Sequence, residues 1–225
     1  MLYVVATPIG NLGDISFRAI ETLNNVDLIL AEDTRHFRIL AAKYDIKTHV
    51  KSYHAHSSPA TLRGYLDMLK AGQKLALVSD AGTPLISDPG YSLVHQSRAE
   101  GLQVVPIPGA TSIITALMAS GLPADKFVYL GFFPAKKGRQ TLCKQMVSSK
   151  LTHVFLESVH RVAKTLDLLS QQLPEDKIIC VARELTKIHE EFSYFKAGQV
   201  DDFLKSLTLK GEFVILVAPD GFKLD

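Results

Sequence analysis

Short apolar runs alternate with helix-length amphipathic stretches through the first 120 residues. The runs Leu2–Ala6, Val26–Ala31, Thr48–Ser52, Leu75–Val78 and Val104–Ile107 have strand length and are bounded by polar or turn residues. Between them, Asp14–Leu23, Thr34–Tyr44, Pro59–Ala71, Gly90–Glu100 and Ala110–Ser120 carry apolar residues at helical spacing. Strict β-α alternation of this kind predicts a parallel sheet covered by helices on both faces.

The pattern changes around Gly121-Leu122-Pro123. Beyond it, Phe127–Phe133, Thr152–Glu157, Ile178–Ala182, Glu191–Phe195 and Glu212–Val217 read as strands, with only Gln140–Ser149 and His160–Gln172 as clear helices. More strands per helix predicts a mixed sheet with antiparallel pairs. The expectation is therefore two α/β domains: residues 1–120 around a mostly parallel sheet, and residues 121–225 around a mixed one.

Composition changes this picture little. With 47% hydrophobic and 21% charged residues the composition is that expected of an ordinary soluble enzyme rather than a disordered chain, and a net charge of +2 permits an anionic partner without demanding one. No apolar stretch reaches the roughly 20 residues of a membrane span, and Leu2–Ala6 is too short for a signal peptide, so a cytoplasmic location is expected. Cys143 and Cys180 stand far apart in apolar contexts without metal-ligand spacing, so buried free thiols and no metal site are expected.

Candidate chemistry gathers where three strands release the chain. The first junction, Pro8-Ile9-Gly10-Asn11-Leu12-Gly13-Asp14, lacks both the GxGxxG spacing of a dinucleotide fold and the GK[ST] of a P-loop. Its glycines also fit a plain turn ahead of a helix capped by Asp14. The second, Glu32-Asp33-Thr34-Arg35, sets two acids and a base at a helix start, where, taken alone, an N-cap and a local ion pair explain them better than catalysis does. The third, Ser79-Asp80-Ala81-Gly82-Thr83-Pro84 with Ser87-Asp88-Pro89-Gly90, is richer than a simple turn requires. Its small residues let a ligand approach the backbone, and Asp80 offers an acceptor for a ribose or ammonium group. In open α/β sheets ligands bind at such carboxyl-terminal strand ends.

These junctions, together with Pro108-Gly109-Ala110, Glu157-Ser158-Val159-His160-Arg161, Ala182-Arg183-Glu184-Leu185-Thr186-Lys187 and Lys210-Gly211-Glu212, resemble the bacterial 16S ribosomal RNA cytidine 2'-O-methyltransferases. That family lies in the tetrapyrrole methylase superfamily, the class III S-adenosylmethionine-dependent methyltransferases. The resemblance runs from the first strand to Val217. Members commonly continue into a small C-terminal extension, so the expectation is either a short member or a member whose extension has been trimmed.

The resemblance implies S-adenosylmethionine in a cleft between the two domains, in a homodimer that acts on 16S rRNA within the small ribosomal subunit. It implies cofactor contacts at Pro8, Ile9, Asp80, Gly82, Thr83, Ser112, Ile113, Leu156, Glu157, Ala182, Gly211 and Glu212. Glu32, Asp33, Arg35 and His54 are the catalytic candidates, with Asp33, His54 and Asp80 as possible proton acceptors and Arg35 or Lys187 as stabilisers of charge. For His54 and His56, without the resemblance, a pair of polar loop histidines ahead of a helix is the favoured reading. RNA contacts are expected from Lys136, Lys137, Arg139, Arg161, Arg183 and Lys187, although a solvated charge cluster would look the same. Phe132 and Phe133 could stack a splayed base, but alternation buries at least one of them. The competing readings are the same fold acting on a tetrapyrrole or a modified protein side chain, and a non-catalytic cofactor-binding protein.

Overall fold

The computed structural model describes residues 1–55 and 57–223, which divide into two compact units, Met1–Thr111 and Ser112–Asp225. The first unit contains β1 (Leu2–Val5), α1 (Phe17–Asn25), β2 (Leu28–Ala31), α2 (Thr34–Lys43), β3 (Val50–Ser52), α3 (Pro59–Lys70), β4 (Leu75–Val78), α4 (Tyr91–Ala99) and β5 (Val104–Ile107). Its strands form one parallel sheet in the order β3-β2-β4-β1-β5.

Alternation along the strands sorts the core onto two faces. Val5, Ile29, Ala31, Ala76, Val78 and Ile107 point to the face covered by α1 and α2, where they meet Ala19, Leu23, Phe37 and Leu40. Leu2, Leu28, Leu30, Leu75, Leu77 and Val104 point to the opposite face, covered by α3 and α4 through Leu66, Leu69 and Leu93. The chain moves one way along the sheet through α1 and α2 and back the other way through α3 and α4. Right-handed crossovers produce this result. Neighbouring strands β1 and β4 therefore send their loops to opposite faces, which makes the gap between their ends a topological switch point.

Helix starts follow local capping chemistry. Ser16 caps α1 by accepting the Ala19 N–H at 3.2 Å, and Ser58 caps α3 with Pro59 in the first turn. The expected cap at Asp14 is corrected accordingly. Asn11 accepts the Gly13 N–H at 3.0 Å, which folds Leu12–Asp14 into a 3-10 turn before α1 begins.

The second unit opens with α5 (Ser112–Ala119), followed by β6 (Phe127–Phe132), α6 (Arg139–Val147), β7 (Thr152–Ser158), α7 (Val162–Gln172), β8 (Ile178–Arg183), β9 (Glu191–Lys196), α8 (Val200–Ser206) and β10 (Glu212–Val217). Its sheet has the order β6-β7-β10-β8-β9, parallel only between β6 and β7 and antiparallel elsewhere. Phe155, Ile179, Val181, Phe213 and Ile215 face α6 and α7 over one core. The reading of the sequence placed α5 before a boundary at 121. In the structure α5 packs on β7 and β10 and so groups with the second unit.

Helix α8 was absent from the sequence reading. Only seven residues long, it has little intrinsic stability and is held by tertiary contact, with Phe203 stacked on Phe195 at 4.1 Å. Cys143 and Cys180 are both buried and unpaired. Among the described residues no helix is long and apolar enough to cross a membrane.

Candidate active site

At the switch point the loops after β1, β4 and β5 are tied together by their backbones. Thr7 and Gly82 exchange two hydrogen bonds, Thr7 N–H to Gly82 O at 2.8 Å and Gly82 N–H to Thr7 O at 3.0 Å. Thr83 Oγ1 donates to Ala110 O at 3.1 Å, fastening the β4 loop to the β5 loop. Gly82 has φ +77°, and a Cβ there would lie 3.2 Å from Ile9 Cγ2. One at Gly109 would lie 3.0 Å from the Ala6 Cβ. The close approach of three loops thus depends on glycine. Pro8, Ile9, Gly82 and Thr83 are brought together here, with Asp80 exposed at the rim.

Four carboxylates belong to the adjoining junctions, and their surroundings separate them. Asp33 caps α2, accepting the Arg35 N–H at 2.8 Å, and its two oxygens also receive Arg35 Nε at 3.0 and 3.2 Å and Nη2 at 2.6 Å. These bonds hold its carboxyl far below the ordinary aspartate range, which makes Asp33 a poor proton acceptor at neutral pH. Asp80 accepts the Asp33 backbone N–H at 2.9 Å and so ties the β4 loop to the β2 loop.

Glu32 is different. Among the described residues its carboxylate has no hydrogen-bond or ion-pair partner, and burial, then the charges of Asp80 and Asp88, raise its carboxyl above the ordinary value. Asp88 is raised as well, by burial first, with the charge of Asp80 adding and a hydrogen bond from Ser79 opposing. Asp88 was quoted in the sequence but given no role. Beside it, Ser87 and Leu85 adopt the left-handed conformation, at φ +65° and +74°, a feature no residue type in this stretch announces. His54 follows the edge strand β3, its backbone N–H donating to Ser57 Oγ at 3.0 Å, and His56 lies outside the described residues.

In the second unit Leu156 and Ala182 flank Val214 in register across β7, β10 and β8, and Ile113 is buried on α5. Ala182 is fully enclosed. Ser112, Gly211 and Glu212 retain some exposure. The carboxylate of Glu157 turns inward. It accepts Ser158 N–H at 2.8 Å and Thr165 Oγ1 at 2.7 Å, and pairs with Arg161 Nη2 at 2.6 Å. Only the backbone of Glu157 is left for a ligand.

The expected RNA residues fall into two groups. Lys136 and Lys137 are exposed and without ion-pair partners among the described residues. The others are engaged. Arg139 lies over the Phe133 ring at 5.6 Å and donates to Thr165 Oγ1 at 3.3 Å. Arg161 holds Glu157, and Arg183 pairs with Glu191 at 3.0 Å. Lys187 bridges Glu184 at 2.7 Å and Glu212 at 3.0 Å; burial acts to lower its pKa, but these bonds outweigh it and raise it. A Cβ at Gly211, which has φ +90°, would run into the Glu184 carboxylate of this cluster. Phe133 is buried at 1% exposure while Phe132 is 52% exposed, so Phe132 is the ring free to stack.

A five-stranded parallel sheet with its loops joined at a switch point, followed by a five-stranded mixed sheet, defines a two-unit α/β protein with its candidate site at strand ends. The chain belongs to the tetrapyrrole (corrin/porphyrin) methylases, whose family model matches residues 1–201. It is 45% identical over 225 residues to "Ribosomal RNA small subunit methyltransferase I" of Halalkalibacterium halodurans, covering 100% of this chain and 78% of the relative. The protein of the same name from Escherichia coli O157:H7 is 46% identical over 219 residues, covering 96% of this chain and 77% of the relative. Among solved structures, diphthine synthase aligns with TM-score 0.77 at 12% identity, covering 96% of this chain and 89% of that one. The uroporphyrin-III C-methyltransferase of Thermus thermophilus complexed with S-adenyl homocysteine aligns with TM-score 0.67 at 16% identity, covering 96% of each chain.

Proposed function

We infer that this chain transfers a methyl group from S-adenosylmethionine to the ribose 2'-hydroxyl of a cytidine in 16S ribosomal RNA of the small subunit. The observation that carries this reading is the 45–46% identity to relatives named for that RNA, over nearly the whole chain. The tetrapyrrole and diphthine enzymes share 12–19% identity and support the fold alone.

The residues present suit the cofactor. Pro8 and Ile9 offer an apolar wall, Gly82 leaves room where a Cβ would intrude, and Asp80 keeps one carboxylate oxygen for an ammonium or ribose hydroxyl. In the second unit, Ser112, Ile113, Leu156, Ala182, Gly211, Glu212 and the backbone of Glu157 are the candidate contacts. Bound S-adenosylmethionine supplies an electrophilic methyl on a sulfonium. The protein must align the acceptor in line with it and remove the hydroxyl proton. Glu32 is the acceptor for that proton, because its carboxylate is unoccupied and raised, whereas Asp33 is held by Arg35. The exposed Lys136 and Lys137 are the RNA contacts of the second unit, and Phe132 is its stacking ring.

A homodimer is part of this reading. Ile114 and Met118, one turn apart on α5, are exposed apolar residues suited to a partner chain, and a stable dimer should bury more than about 1,000 Å². The expected location is the cytoplasm.

The test compares labelled methyl transfer onto naked 16S RNA, onto small subunits from cells lacking the modification, and onto a tetrapyrrole mixture. Methylated 2'-O-cytidine on the RNA is expected. Transfer to the tetrapyrrole alone would reject the reading.

A further inference from the structure

The acids around Arg35 do more than start a helix. A cap on α2 requires only that Asp33 Oδ1 accept the Arg35 N–H, at 2.8 Å. Asp33 also receives Nε and Nη2 of the same side chain, and its own backbone N–H is held by Asp80 Oδ1 at 2.9 Å. The Arg35 side chain is 84% exposed. An arginine so exposed would ordinarily sample many rotamers, and gripping it along the Nε–Nη2 edge leaves it few.

That grip leaves a defined part of the guanidinium open. Of its five N–H donors, those on Nε and one on Nη2 are engaged, while both on Nη1 and the second on Nη2 have no partner among the described residues. The free Nη1–Nη2 edge matches two oxygens of a phosphate in a bidentate contact.

We propose that Asp80 and Asp33 act as positioning residues that aim the open edge of Arg35 at the RNA phosphate beside the acceptor ribose. The proposal rests on the RNA reading above. Asp80 seats the Asp33 backbone, Asp33 fixes the guanidinium, and Arg35 holds the phosphate so that the neighbouring 2'-hydroxyl stays in line. The division of labour leaves Glu32 to accept the proton.

Affinity for small subunits lacking the modification, measured without cofactor across a salt series, tests it, with calorimetry for S-adenosylmethionine run in parallel. Arg35→Gln should bind about tenfold more weakly. Its log affinity against log salt should flatten by about 0.7–0.9, one phosphate contact. Arg35→Lys should not restore the loss, since an ammonium lacks the fork. Asp33→Asn keeps the helix cap but releases the guanidinium. Although it adds a net positive charge, which by itself favours RNA, it should weaken binding several-fold and raise KM for the subunit. Cofactor affinity and melting temperature should stay at wild-type values in all three. An Asp33→Asn protein that binds as tightly as wild type or tighter, or an Arg35→Gln protein with an unchanged salt slope, would overturn the proposal. A wild-type protein that binds cofactor but neither form of 16S RNA would instead overturn the RNA reading itself.

Discussion

Replacing Glu157 by Gln separates a structural carboxylate from a ligand contact. Its side chain is 1% exposed and satisfies three donors, from Ser158, Thr165 and Arg161, at the junction of β7 and α7. A glutamine keeps one acceptor oxygen but presents an NH2 to donors and removes the charge facing Arg161. Leaving one member of a buried pair unmatched costs about 3–5 kcal/mol. Arg161 is 34% exposed and recovers part of that from water, so about 2–3 kcal/mol is expected. For a chain of this size that lowers the melting temperature by roughly 5–10 °C. Thr165→Val should cost about 1–2 kcal/mol, and the two changes should couple, because both empty the same network. Circular dichroism melts would give the stability, and calorimetry at 25 °C the cofactor affinity of the folded protein, which should shift less than about threefold, a fraction of a kcal/mol. A Glu157→Gln protein that melts like wild type yet loses cofactor affinity tenfold would show that the inward geometry has been misread.

Three further outcomes follow from the same structure. Gly90→Ala should destabilise by about 2–3 kcal/mol in denaturant titration, since φ is +130° and the new Cβ would lie 2.7 Å from Leu77 Cδ2, whereas Gly138→Ala, at φ +88° with open space, should cost about 1 kcal/mol. Glu32 accepts a proton only when ionised and its carboxyl is raised, so the methylation rate should fall with decreasing pH at a higher pH than an ordinary glutamate would give. Asp88→Asn, which removes a negative neighbour, should move that limb downward, and an unmoved limb would remove Glu32 from the role. Lys136→Gln with Lys137→Gln should flatten the salt dependence of RNA binding by about 0.7–0.9 per lost contact while leaving the melt unchanged; Arg139→Gln should lower the melt, because Arg139 is built into the Phe133 and Thr165 packing.

Strand positions were legible where an apolar run had its own boundaries. Leu75–Val78 and Val104–Ile107 match β4 and β5 residue for residue, each closed by polar or glycine-bearing segments. Helix α8 was not legible, because seven residues carry little helical stability of their own, and the stacking of Phe203 on Phe195 of β9 exists only once the chain has turned back after that strand. The place of α5 was misjudged for a related reason: the turn at Gly121 is a strong local signal, whereas the packing of α5 on β7 and β10 is not local at all. The three loops that gather the candidate site could be named from their glycines and acids. Which charges stay free could not. Lys136 and Arg139 look alike in a string of letters, and only the fold shows that one faces solvent while the other covers Phe133. Glu32 and Asp33 are adjacent, yet burial and the charges of Asp80 and Asp88 raise the one while the bonds from Arg35 lower the other.

The two strand orders also bear on how the chain is made. β1, synthesised well before its partners β4 and β5, sits between them inside its sheet, and β10, synthesised after β7 and β8, sits between those two inside its own. At about 5–20 residues per second, β1 waits several seconds as an unpaired apolar segment before Val78 emerges. Each antiparallel partner of β10 likewise stays open along one edge until Val217 arrives. Exposed edges of this kind recruit other strands, so the nascent chain, rather than the finished enzyme, is the form most in need of a chaperone.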